Sequence, residues 1–320
     1  MNGSDTGKFG IGTTGVSMKL MGISDEAART LAGQIAAFKS LGWEYIEMRD
    51  VEVSGFAKAN FHDLPESAFE QARAQFEQAG IRIYCFASTI MNWAKTIHTP
   101  FEVTLAEVKR TIQRMRKTGA KYVRIMSFKP SDDEFRIPKI VFEHVRGVTE
   151  MFLDADIQPV HENCMNYGGM SWQHALELLD KCPGLKWLFD TGNPVFNPDR
   201  SKPKPWPRQD PWEFWTHVRD FTLHIHIKDA VWDPAQNDAD YRWPGEGAGC
   251  VRQIICDALA RGYTGGLSIE PHLAVVFHQA ESKPADDSVT QDTFVEYGRR
   301  LEKIVAEAKA TVGAAQQQTA

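Results

Sequence analysis

The 320-residue sequence has no run near the ~18 apolar residues that a helical membrane span needs, so no membrane role is expected. It has no basic excess either. Its 36 Lys and Arg stand against 42 Asp and Glu, a formal net charge of −6. A nucleic-acid or anionic-lipid partner, which would want a basic face, is therefore not expected. Cysteine is scarce and odd in number: Cys85, Cys164, Cys182, Cys250 and Cys256, with no C-x-x-C spacing. That excludes a disulfide framework and a cysteine zinc site and leaves buried structural thiols. The opening residues, MNGSDTGKFG, hold no apolar signal core, which makes the cytoplasm the expected compartment. No internal repeat of fixed period is visible.

What remains is ordinary for a globular protein: 42% hydrophobic and 24% charged residues, enough chain for a large core. Short strand-like runs alternate with longer amphipathic ones. The strand candidates are KFGIGTTGV, WEYIEMR, IRIYCFA, KYVRIMS, IQPVHEN, LKWLFD, FTLHIHIKD and GGLSIE. Ser24, Ser171 and Asp210 stand where helices should begin, as N-caps do. Gly42, Gly80, Gly119 and Gly262 stand where helices should stop. Eight β-α units without a composition break predict a single (β/α)8 TIM barrel over about residues 8–310, with 311–320 as a frayed tail. Two long connections, 191–210 and 230–248, follow strands and so belong over the C-terminal face of such a barrel, where active sites sit.

The late strands carry the chemistry. Glu162 closes the fifth, Asp190 the sixth and Glu270 the eighth, while His226 lies near the end of the seventh. Ordinary core strands do not end in charged groups, because burying an unpaired carboxylate is expensive. Carboxylates converging on one spot repel unless a cation holds them. Three oxygen donors and an imidazole suit one divalent ion, with manganese expected and magnesium, cobalt or zinc as alternatives. In HIHIKD the period of two turns His224, His226 and Lys228 to one face. His226 is the expected ligand, His224 an internal hydrogen-bonding partner, and Lys228 a substrate contact.

The segments HEN at 161–163, FDTGN at 189–193, HIKD at 226–229 and GYTGGLSIE at 262–270 resemble the sugar phosphate isomerase/epimerase, or xylose isomerase-like, barrels. The resemblance implies a metal held by Glu162, Asp190, His226 and Glu270. It also implies that Glu162 and Glu270 transfer protons on opposite faces of a bound sugar. Removing a proton beside a carbonyl needs a base and a cation that stabilises the enolate oxygen. The expected activity is thus a metal-dependent isomerase or epimerase acting on a keto-sugar.

Ketohexose epimerases of this family carry a His where this chain has Asn193, and an Arg shortly after the metal His where this chain reads DAVWDPA. These departures, with the Trp-rich loops, open a second reading: a lyase cleaving a 3-keto glycoside, similar to the C-glycoside deglycosidase large subunits and requiring a small partner subunit. His161 is either a base beside the metal or a packed residue. Asn193, Arg124, His272 and Trp93 are expected at the substrate, with Trp232 and Trp243 as further flat walls. Glu47 and Arg49 end the second strand, and a structural Glu47–Arg124 ion pair and a substrate contact are both open there. A DNA-repair nuclease on the same barrel would want a basic groove and more His ligands. A non-catalytic sugar-binding barrel would need no paired acid and base. No Gly-rich or Arg-rich phosphate cradle is visible, which favours an unphosphorylated sugar or glycoside. A homo-oligomer is expected.

Overall fold

The computed structural model describes residues 18–274 and 286–318. Eight parallel strands make one sheet: β1 Lys19–Gly22, β2 Tyr45–Met48, β3 Arg82–Ala87, β4 Tyr122–Ile125, β5 Gln158–Glu162, β6 Lys186–Asp190, β7 Thr222–Ile227 and β8 Gly266–Ile269. Each pairs with its sequence neighbour from β2 through to β8, and β8 returns to β1. A parallel bridge between Ile23 and Glu47 joins the two remaining edges. The result is a nearly closed barrel, wrapped by α1 Leu31–Leu41, α2 Glu66–Gln78, α3 Phe101–Thr118, α4 Lys139–Leu153, α5 Trp172–Lys181, α6 Pro211–Val218, α7 Val251–Ala260 and α8 Asp287–Gln318. This is the (β/α)8 architecture expected from the alternating runs.

Local chemistry sets the helix boundaries. Gly42 and Gly119 follow α1 and α3 with φ of 70° and 73°, a left-handed conformation that L-residues with a Cβ resist. Ser171 and Asp210 accept the backbone N–H of His174 and Glu213, the expected caps. Ser24 does not cap a long helix. It opens a short helical turn, Ser24–Ala27, and α1 starts later behind Thr30, whose side chain accepts from Gly33 N. The Ser24 hydroxyl instead ties β1 to β2, donating to Asp50 O and accepting from Arg49 N.

The strand expected at residues 8–16 lies outside the described residues. The first barrel strand is KLMG, residues 19–22, too short and mixed to show a period. Its last residue is sterically fixed: a Cβ on Gly22 would lie 2.5 Å from the Phe294 ring and 2.7 Å from Ile269. Phe294 belongs to a buried stripe on α8 with Tyr297, Leu301, Ile304, Val305 and Ala308, the spacing of a helix face against a sheet. That helix continues through residues 311–318, the stretch expected to fray. All five cysteines are free, and Cys85 and Cys182 are buried.

Gly22→Ala should therefore overpack the β1–α8 contact and lower stability by about 1–3 kcal/mol in urea denaturation. Stability equal to the parent would mean that Phe294 does not seat against Gly22.

Candidate metal centre

The C-terminal ends of β5 to β8 deliver Glu162, Asp190, His226 and Glu270 to one point. One ligand-type atom from each lies within 4.8 Å of the other three, and all four residues are buried. His226 Nδ1 is 3.8 Å from Glu162 Oε1, 3.9 Å from Asp190 Oδ2 and 3.6 Å from Glu270 Oε2.

Each of these residues is pinned by the atom that faces away from the common centre. Arg124 Nη1 lies 3.0 Å from Glu162 Oε2. The backbone N–H groups of Gly192 and Asn193 donate to Asp190 Oδ1 at 2.8 and 2.7 Å. Arg49 Nη1 donates to Glu270 Oε1 at 2.7 Å. His226 Nε2 lies 3.0 Å from Glu47 Oε2, which assigns the ring proton to Nε2 in the neutral tautomer and turns Nδ1 inward. Nδ1 is buried and has no hydrogen-bond partner among the described residues. A buried imidazole nitrogen facing three carboxylate oxygens fits a divalent cation, and so does the mixed oxygen and nitrogen donor set.

The electrostatics follow from this packing. Burial pushes Asp190 up to about 6, against the pull of Lys228. Burial also works to raise Glu162, but the Arg124 guanidinium and His226 overrule it and hold it at about 2. Lys228 Nζ sits 2.9 Å from Glu270 Oε2 and 3.0 Å from Asp190 Oδ2, placing a positive charge against two of the inward oxygens. Burial opposes its charge, yet the facing carboxylates hold its pKa well above the usual lysine range.

A cavity of about 300 Å³ opens over this cluster and is lined by Arg124, Asn193, Lys228, His272 and Trp93 together with Glu162 and Glu270. The expected substrate contacts are thus gathered in one place. Asn193 Nδ2 also donates to Glu162 Oε1 at 3.1 Å, so this residue is tied to a candidate ligand. His272 packs Nδ1 2.8 Å from Glu26 Oε1 and leaves Nε2 3.8 Å from Glu270 Oε1.

Three expectations are corrected. His161 is not at the centre: β5 alternation turns it outward, where its ring stacks on Trp187 at 5.0 Å and Nε2 meets Ser127 Oγ at 3.0 Å. Burial pushes its pKa down to about 3, so it is a neutral packing residue. Glu47 and Arg124 do not pair with each other. Glu47 takes His224 at 2.7 Å as well as His226, and Arg124 takes Glu162. Trp243 is not a cavity wall but packs on Tyr297, with the Arg300 guanidinium 4.2 Å from its ring centroid.

Sequence reasoning missed Asp25 and Glu26, which take Arg49 Nε at 2.7 Å and Nη2 at 2.9 Å and so aim its third donor at Glu270. They follow Ser24, the expected helix start, where acidic side chains are common. The signal that could have found them is that two adjacent acids stand directly after a barrel strand.

Protein-family models match residues 35–308 to the xylose isomerase-like TIM barrel. Comparison with curated protein sequences gives no match. Among solved structures, a xylose isomerase-like TIM-barrel protein from Mycobacterium smegmatis in complex with magnesium is 19% identical, with 91% of this chain and 97% of that one covered at a TM-score of 0.61. A probable 3-DHS dehydratase involved in petrobactin synthesis in Bacillus anthracis is 15% identical (89% and 99% covered, TM-score 0.65). A D-tagatose 3-epimerase-like protein is 15% identical (92% and 100% covered, TM-score 0.66). At these identities the likeness is one of fold.

The geometry makes Glu47 an orienting partner for His226. Glu47→Gln should weaken Mn²⁺ affinity about 10–100-fold in chelator competition, whereas His161→Phe should leave it unchanged. Parental affinity in Glu47→Gln would remove the orienting role.

Proposed function

Because this chain belongs to the xylose isomerase-like TIM-barrel family, we propose that it is a divalent-metal-dependent carbohydrate enzyme that removes a proton beside the carbonyl of a bound keto-sugar. The observation that carries this reading is the inward convergence of Glu162 Oε1, Asp190 Oδ2, Glu270 Oε2 and the unpartnered His226 Nδ1, at the floor of a cavity that fits a small polar molecule. A divalent ion held by these four would polarise the substrate carbonyl and make the neighbouring C–H more acidic.

The chain's own residues supply the rest. Glu162 and Glu270 both face the cavity, so one carboxylate can take a proton from carbon and the other can return one to the neighbouring position. Arg124 and Asn193 hold Glu162, while Arg49 and Lys228 hold Glu270. Each base therefore keeps its geometry as its charge changes. Lys228 and His272, at the cavity wall, can donate to sugar hydroxyls. Isomerisation or epimerisation follows if the proton returns to carbon.

The same first step ends in elimination if a group leaves the carbon next to the enolate, as in cleavage of a 3-keto glycoside. Favouring this second outcome is a further cavity of about 350 Å³ beside the first, sharing Cys164, Met165 and Phe196 with it. It provides room for a leaving group that a free monosaccharide would not need. The likeness to both an epimerase-like protein and a probable dehydratase is compatible with either ending.

Elemental analysis of the purified protein beside His226→Ala and Glu270→Gln is the first test. About one equivalent of a divalent metal is expected in the parent, and its loss in both variants. With Mn²⁺ loaded, keto-sugars and 3-keto glucosides in D₂O should take up deuterium beside the carbonyl, at a rate about 10²–10⁴-fold lower in Glu162→Gln. A parent that holds no metal after Mn²⁺ loading and dialysis, or exchanges no proton with any of these substrates, would sink the mechanism.

A further inference from the structure

Arginine and lysine do not meet the candidate ligands in the same way. Arg124 reaches Glu162 at Oε2 and Arg49 reaches Glu270 at Oε1, both oxygens that point away from the common centre. Lys228 meets the inward pair instead. Its Nζ donates to Glu270 Oε2 at 2.9 Å and lies 3.0 Å from Asp190 Oδ2. Those same two oxygens face His226 Nδ1 at 3.6 and 3.9 Å. The ammonium therefore stands among the donors that would hold a divalent ion.

The outward oxygens of both carboxylates are already engaged. Asp190 Oδ1 accepts the backbone N–H groups of Gly192 and Asn193, and Glu270 Oε1 accepts from Arg49. The lysine backbone is fixed as well. Its N–H donates to Thr191 Oγ1 at 3.1 Å, and that hydroxyl donates back to Lys228 O at 2.6 Å. Gly192 packs beside the stem, where a Cβ would lie 2.7 Å from Lys228 Cγ. The far end of the side chain has room to turn, because Lys228 is part of the wall of the cavity over the centre.

We propose that Lys228 is an exchangeable counter-cation: its ammonium and a divalent ion draw on the same oxygens of Asp190 and Glu270, so the ammonium weakens ion binding and turns into the cavity when an ion is held. This rests on the metal-centre reading above and adds a coupling between ion binding and the position of a substrate-facing charge. Two cations that share buried oxygens repel strongly, because little water screens them. A flexible four-carbon stem can carry its charge aside, which a guanidinium fork gripping a carboxylate does less readily. A lysine that merely held the two carboxylates in place would act in the opposite sense, since its loss would loosen both ligands and weaken ion binding.

Chelator-competition titrations with Mn²⁺ on the parent and on Lys228→Met separate the two roles by sign. Lys228→Met should bind Mn²⁺ about 10-fold or more tightly than the parent. In the parent itself, reductive methylation followed by peptide mass analysis should label Lys228 faster with Mn²⁺ than with chelator. That measurement decides the matter if Lys228→Met does not fold. Equal or weaker Mn²⁺ binding by a folded Lys228→Met, or labelling that Mn²⁺ leaves unchanged, would overturn the exchange while the metal centre stands. Uptake of Mn²⁺ by Lys228→Met alone would support the competition while sinking the metal mechanism of the parent. Failure of both proteins to take up Mn²⁺ would overturn the metal centre and this inference with it.

Discussion

Three carboxylates aimed at one point inside a protein repel one another, and the barrel mouth is arranged around containing that repulsion. Without neighbours, Glu162, Asp190 and Glu270 would each be forced toward the neutral acid by burial alone. The structure answers on two sides. Away from the centre, Arg124, two backbone N–H groups and Arg49 each take one oxygen. Toward the centre, His226 and Lys228 face the remaining oxygens. Arg49 in turn needs its own acids, Asp25 and Glu26, and His226 needs Glu47. The charged network thus extends from the site back into β2 and the turn after β1, and cutting one buried pair would leave a partner charge stranded. Lys228 fits this scheme as an internal counter-charge to two of the inward oxygens.

Containment of this kind demands rigid supports, which explains the division of labour between strands and loops. The four candidate ligands stand on β5 to β8, where ladder hydrogen bonds fix Cβ directions. The loops are fastened to that frame by local devices. Asp229, directly after β7, accepts the backbone N–H groups of Ala230, Gly245, Gly247 and Gly249. A Cβ on Gly247 would lie 2.3 Å from Asp229 Oδ1, so the glycine-rich run PGEGAG is shaped by that carboxylate. Burial pushes Asp229 upward, and the four N–H donors oppose the shift. One acid closes the loop behind the hairpin without lending its charge to the site.

How much of this was legible depended on whether the information was periodic. The β7 run HIHIK alternates strictly, and its polar face does point inward. Four charged strand ends in succession marked the centre, because nothing in ordinary core packing puts acids there. Gly42, Gly80, Gly119 and Gly262 marked chain reversals, and all four have positive φ. The same rule of two turned His161 away from Glu162, and it outweighs the appeal of a histidine beside an acid. Long-range pairing was not legible. Glu47 meets residues 177 and 179 positions away, and no local pattern tells it to prefer two histidines over Arg124. A four-residue β1 carries too few side chains to show a period, so a longer glycine-containing run upstream drew attention instead.

The same distinction separates what this chain does to a substrate from which substrate it takes. Proton transfer needs groups held to fractions of an ångström, and these come from strands whose register is fixed by the whole barrel. Substrate selection needs only a wall of suitable shape and charge, and walls here come from segments that follow the strands, such as Trp93 after β3, Met165 after β5 and His272 after β8. Asn193 stands on the boundary. It follows Asp190 closely enough for its N–H to hold that carboxylate, while its side chain reaches Glu162. An amide there binds a carboxylate without titrating near neutrality, whereas an imidazole would add a proton-transfer group beside the substrate. An amide at that position leaves the four candidate ligands in place, and on the proposed reading acid–base work falls to Glu162 and Glu270. A site so restricted depends more on its loops for selectivity, and there Trp93 lines the cavity over the centre and Trp232 the cavity beside it.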